Sequence, residues 1–198
     1  MEEGAELPGI TQGASNAVEE IPMSQQHDER NHDTKELSGE VGQKKIAEVM
    51  KGIHIAMMST VAKDGSMSSR PMAVQEKDFD GQLWFLTRVS SEKVDEIGQD
   101  QHVTLTLVDS SDGKYLTLKG RANVNQDRVK IRELWNSMYK AWFPKGETDP
   151  GIAVLRVDVH EADYWEASSS SVVRSVRYLA AAVTGGKVAI GEAGHVLV

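Results

Sequence analysis

Three Asp-Gly pairs, at 64–65, 80–81 and 112–113, each separate two strand-like runs and so limit the chain to folds rich in tight turns. Glycine accepts the positive φ that a two-residue hairpin turn demands, which makes Asp-Gly between apolar runs a strong hairpin signal. The first pair is expected to join strands over 53–61 and 67–75, the second 72–77 and 83–87, the third 102–108 and 115–124. Leu105, Leu107, Leu116 and Leu118 alternate with threonines and Lys119, the period of two that marks a half-buried strand. An antiparallel meander follows.

Helical stretches interrupt it. Ile46, Val49 and Met50 recur at helical spacing over 41–51, and Gly52 ends that run. A short helix is expected over 92–99 and a longer one over 127–138, with Val129, Ile131, Leu134, Trp135 and Met138 as its apolar set. Strand character returns over 152–159 and 164–167, separated by His160-Glu161-Ala162-Asp163. Residues 172–183 read as a helix stopped by Gly185-Gly186, and the Gly-rich end is either an edge strand or a surface segment. The expected fold is mostly β with peripheral helices: an antiparallel split or closed barrel over 41–170, with 171–198 packed on it as a helix and Gly-rich extension.

Charge divides the chain differently. Residues 1–40 carry ten acidic side chains against Arg30 and Lys35, while the remainder balances 20 acidic with 20 basic groups. That first stretch is too polar to offset its ordering entropy and is expected to be a disordered acidic tail. A charge-balanced body lacks the footprint of a nucleic-acid binder but leaves room for one locally bound phosphate. The absence of cysteine excludes disulfides, thiolate metal sites and cysteine nucleophiles. No apolar run nears the roughly 20 residues that span a bilayer, and the N-terminus lacks a signal-peptide pattern, so a soluble cytoplasmic protein without a membrane partner is expected. The six histidines show no metal-ligand spacing, and no metal is expected.

Chemistry-bearing residues concentrate between 53 and 97. Ser90 and Ser91 open the helix over 92–99, and Lys93 adds a charge one turn in. Free amide groups and the dipole make a helix start suitable for a phosphate, although a serine there also serves as a plain cap. Arg70 precedes Pro71, which cannot donate into a ladder, so this strand either offers its edge to a ligand or is blunted against aggregation. Trp84, Trp135, Trp142 and Trp165 could include a stacking wall, and Trp142-Phe143 sits in a loop beside Pro144 and Gly146.

The order of several short motifs over 44–167, about two thirds of the chain, resembles the pyridoxamine 5′-phosphate oxidase-like FMN-binding split barrels, most closely their general stress protein 26-like branch. They are Ser69-Arg70-Pro71-Met72, Leu83-Trp84-Phe85-Leu86-Thr87 followed by Ser91, Lys93, Glu96 and Ile97, then Lys119-Gly120-Arg121-Ala122, Trp142-Phe143-Pro144-Lys145-Gly146 and Tyr164-Trp165. The resemblance implies a homodimer with FMN, or alternatively FAD, in clefts at the subunit interface. It assigns Arg70, Ser91 and Lys93 to the phosphate, the Pro71, Met72 and Ala73 backbone to the isoalloxazine, and Leu86 and Thr87 to the cleft lining, with Ser69 also among the cofactor-binding residues. Trp142 or Phe143 would approach from the other protomer, with Trp165 near the flavin. A small-molecule electron donor and acceptor would be the partners of an FMN-dependent oxidoreductase with a general-stress-type role. A flavin sensor or storage module without turnover, or a haem or deazaflavin protein on the same fold, is the alternative. Two departures stand out. Tyr115 occupies the strand where true pyridoxamine phosphate oxidases carry glutamine, and Glu166-Ala167 follow Trp165 where they place arginines, so pyridoxine oxidation is not expected.

Overall fold

A computed structural model describes residues 35–75, 79–167 and 191–198. In chain order the elements are β1 (Lys35–Ser38), α1 (Gly39–Met50), β2 (Ile55–Val61), β3 (Met67–Ala73), β4 (Gln82–Arg88), α2 (Glu92–Gln99), β5 (His102–Asp109), β6 (Lys114–Asn125), α3 (Arg128–Leu134), a 3₁₀ turn (Ser137–Ala141), β7 (Ile152–Ala167) and β8 (Gly191–Leu197). Hydrogen-bonded neighbours run β1-β8-β7-β6-β5-β2-β3, with β4 also paired to β7. The sheet is antiparallel except at β1–β8, and it does not close: it is a split barrel with peripheral helices.

The first and third Asp-Gly turns make the expected hairpins, β2–β3 and β5–β6. The second does not. Gly81 turns the chain at φ +92°, yet β4 pairs with β7, and Val159 N–H donates to the Gly81 carbonyl at 2.9 Å. The reason is burial. Ile152, Ala153, Val154 and Leu155 are all fully buried, so β7 needs a neighbour on both edges and cover on both faces. β6 takes one edge along its whole length, while β4 and then β8 share the other. Taking β4 away leaves the outer edge of β3 without a strand.

Two other sequence expectations change for local reasons. The helix expected over 127–138 starts where Asp127 caps it, accepting from Val129 and Lys130 N–H, but Trp135 turns to extended backbone at ψ 132°. Asn136 then accepts from Met138 N–H and starts the 3₁₀ turn, which directs Tyr139 inward and leaves Val129 and Met138 exposed. Strands 152–159 and 164–167 are one continuous strand. Lys119 pairs with Glu161 and Gly120 with Val159, so His160 is the extra residue of a β-bulge and not the end of the strand. Gly120 is required there, because a Cβ would stand 2.6 Å from the Asp158 carbonyl oxygen.

Residues 35–40, placed by sequence in the acidic tail, form β1 and the start of α1; Leu37 packs against the core opposite Val196. The Gly-rich end is a strand paired on both edges, to β7 and β1. Residues 1–34 and the helix expected over 172–183 lie outside the described residues. Among the described residues no helix is long and apolar enough to cross a membrane.

Candidate functional site

The free edge of β3 sets the site. Val74 N–H donates to His54 C=O and Ala62 N–H to Ser66 C=O, which fixes the phase of the β2–β3 ladder. By alternation the backbone groups of Arg70 and Met72 point at β2, and those of Ser69, Pro71 and Ala73 point outward. Pro71 therefore sacrifices no ladder bond, and the Pro71 carbonyl and Ala73 amide are left to meet something other than a strand.

That edge borders a cleft of about 380 Å³ lined by Ile55, Pro71–Ala73, Leu86–Arg88, Ser91, Lys93, Tyr139, Trp142 and Phe143. One end is polar. Lys93 Nζ lies 3.3 Å from Thr87 Oγ1, which is 3.3 Å from Ser91 Oγ. Burial, then the neighbouring Arg70 charge, hold the Lys93 pKa below the usual lysine value. Among the described residues no carboxylate is ion-paired to it. Ser91 occupies the N-cap position of α2 but makes no side-chain cap; its hydroxyl donates to the Arg88 carbonyl at 2.8 Å. The plain-cap alternative thus fails, and the first amides of α2 stay available beside the lysine. Glu92 and Asp95 in the same turn partly offset the dipole.

The other end is aromatic. Tyr139 and Phe143 are buried among Leu86, Ile131, Leu134, Ile152 and Val154, and Trp142 is 56 % exposed at the rim. Gln75 Nε2 donates to the Tyr139 hydroxyl, and burial raises the Tyr139 pKa despite that contact. Arg88 donates to the Trp142 carbonyl and lies over the Phe143 ring, 5.1 Å from its centroid. The loop carrying Trp142 and Phe143 is thereby tied to the end of β4 within one chain.

Nine of the sequence-named residues meet in this cleft: Pro71, Met72, Ala73, Leu86, Thr87, Ser91, Lys93, Trp142 and Phe143. The last two line it from the same chain as the rest. Three stand elsewhere. Arg70 points to the side opposite Pro71, donating to Glu96 at 2.7 Å, to Ser68 Oγ at 2.6 Å and to Thr60, so its guanidinium is occupied behind Lys93. Ser69 Oγ lies 2.7 Å from Ser59 Oγ on the outer face. Trp165 pairs with Tyr115 across β6–β7 and is 50 % exposed. Ile55, Arg88 and Tyr139 are additional lining residues. Ile55 is legible from the hairpin, where it faces Ala73; Tyr139 is legible only through the Asn136 cap.

A polar group that spacing did not reveal lies on the same outer face. Glu161, Asp163 and His195 place ligand-type atoms within 4.8 Å of one another. Lys119 already supplies the cation there, paired to Glu161 and 3.2 Å from Asp163, whose carboxyl also meets His195 Nδ1 at 2.8 Å.

Comparison with known proteins places the chain among relatives of this fold. A family described as "Pyridoxamine 5'-phosphate oxidase like" matches residues 42–189. Protein bli-3 of Neurospora crassa is 30 % identical over 152 residues, 72 % of each chain. The crystal structure of the general stress FMN/FAD binding protein from Xanthomonas citri is 28 % identical, with a TM-score of 0.58 over 67 % of this chain and 93 % of that one. General stress protein 26 from Bacillus anthracis, at 24 % identity and a TM-score of 0.55, covers 62 % of this chain and 92 % of its own and shares the fold.

Proposed function

Because this chain belongs to the pyridoxamine 5′-phosphate oxidase-like family, we propose that the cleft beside β3 binds a flavin, with FMN as its form. One observation carries the reading: a strand edge with unused backbone groups runs directly into a hydroxyl- and lysine-lined end of the same cleft. The Pro71 carbonyl and Ala73 amide suit the polar rim of a flat heterocycle, and Ile55, Leu86 and Phe143 suit its apolar faces. Ser91, Thr87, Lys93 and the first amides of α2 suit a terminal phosphate. Arg70, held by Glu96, supports that end from behind by adding positive potential. The name of the Xanthomonas citri relative supports the cofactor class, and the general stress names support a stress-linked role.

When bound, the flavin would supply hydride and electron transfer between small molecules. The residues present position it and leave the Trp142 side open to a second reactant.

The outer face supports a homodimer as part of the same reading. Val108, Tyr115 and Trp165 are consecutive cross-strand neighbours, and Ile55 continues the row beside Val108, one position beyond the Ala56–Leu107 pair. All four are between 45 % and 53 % exposed, an apolar row that a second copy could cover about a twofold axis. Its last member, Ile55, also lines the cleft, so a partner placed there would complete it. A monomer by light scattering overturns this part.

The cofactor reading is tested by fluorescence titration with FMN and with riboflavin. Lys93→Ala should weaken FMN by roughly 1.5–3 kcal/mol, tenfold or more, and leave riboflavin unchanged. Equal loss for both flavins, or for neither, overturns the phosphate assignment.

A further inference from the structure

We propose that a second pocket, on the outer side of β6 and β7, binds the phosphate group of a small phosphorylated molecule. It measures about 320 Å³, is lined by Arg121, Arg156, Asp158, His160, Gln101 and Asn123, and shares no lining residue with the cleft. The β-bulge builds it. After the shift at Gly120, Arg121 faces Asp158 and Asn123 faces Arg156, which puts both guanidinium groups on one face, and the extra residue His160 joins them.

The charge of this pocket is unbalanced. Asp158 is its one carboxylate, and it is engaged by Gln82 Nε2 and by Arg156, each at 2.9 Å. Arg121 donates to the Gln101 side-chain oxygen and meets His102 Nε2, each at 3.2 Å, and the other ring nitrogen of His102 lies 2.7 Å from the Asp100 carboxylate. The Arg156 Nε is buried without a hydrogen-bond partner. Its guanidinium is also set over Trp84, 5.9 Å from the ring centroid, with Lys130 over the same ring at 4.2 Å. Two arginines on neighbouring strands, one with no carboxylate in direct contact and the other paired to Asp158, form a fork suited to a tetrahedral oxyanion. The neutral amides of Gln101 and Asn123 leave hydrogen bonds for an uncharged remainder of the ligand. The charge balance beyond residue 40, 20 acidic against 20 basic groups, favours one discrete anion over a polyanion.

Calorimetric titration of the full chain with pyrophosphate tests this. The Lys93→Gln variant removes the lysine from the polar end of the first cleft, where Arg88 remains at the aromatic end, so binding at the two places is separable. Saturable binding should appear in the wild type, persist in Lys93→Gln, and weaken by about tenfold or more in Arg121→Gln and in Arg156→Gln. Arg121 is exposed, so its replacement should leave the circular dichroism unchanged and decides the matter if Arg156→Gln fails to fold. Absence of saturable binding, or binding lost in Lys93→Gln and kept in Arg121→Gln, overturns the proposal.

Discussion

The two apolar clusters of this protein are built by the same strands and do different work. The larger lies inside the sheet and is mostly aliphatic: Leu105, Leu107, Leu116 and Leu118 are fully buried there, joined by Phe85, Leu155 and Val157. The smaller lies on the other face of β4 and β7, where Leu86, Ile152 and Val154 meet Ile131, Leu134, Tyr139 and Phe143. Its rings tilt at 35–57° with centroids 5.9–6.5 Å apart, and one side of the cluster is the wall of the cleft. Alternation along β4 sends Phe85 to one cluster and Leu86 to the other. The first cluster is closed within the sheet, and the second presents one side to the cleft.

Truncation in the larger cluster should have the largest effect. Leu118→Ala leaves a cavity between β5, β6 and the packed helices, and about 2–5 kcal/mol of unfolding free energy should disappear in urea titration. Flavin affinity of the folded fraction should stay at the wild-type value. A matching loss of affinity would mean that the two clusters are one mechanical unit.

Phe143→Leu probes the smaller cluster. The swap keeps an apolar group and removes the ring contacts with Trp135 and Tyr139, so roughly 1–2 kcal/mol of stability should be lost. FMN and riboflavin should weaken together, because the wall serves the ring and not the phosphate. Selective loss of FMN would place Phe143 at the wrong end of the cleft.

The larger cluster was legible in the sequence because its signal is local. Leu105, Leu107, Leu116 and Leu118 alternate around an Asp-Gly turn, and the register follows. The smaller cluster was not, because it depends on where one helix stops. Read as continuous helix, 127–138 puts Met138 inward; Asn136 restarts the chain and puts Tyr139 there instead. The β4 pairing was missed for a different reason. Asp80-Gly81 does form a turn, but long-range burial of β7 outweighs the local hairpin preference, and no local pattern reports it. The same limit explains Arg70. Its place in the Arg-Pro-Met motif is plain, yet period-two alternation turns its side chain toward Glu96, away from the edge that Pro71 opens.

The smallest expected effect belongs to Lys93, which touches the cleft and neither cluster. Burial and Arg70 lower its folded-state pKa below the unfolded value, so between the two values the unfolded chain binds more protons than the folded one. Lys93 should therefore contribute a rise in the stability of the flavin-free protein across that alkaline interval, flat well below it where the lysine is charged in both states, against the fall contributed by Lys45, Lys119, Tyr139 and Tyr164, whose folded pKa values are raised. Lys93→Ala should remove the rise while leaving neutral-pH stability unchanged or slightly improved, as measured by urea midpoints across the alkaline range. Filling the cleft with FMN should also suppress the rise, since a phosphate beside Lys93 favours its charged form and moves the folded pKa back up. A pH profile that neither change alters would assign the titration to other groups and would separate Lys93 from the polar end of the cleft.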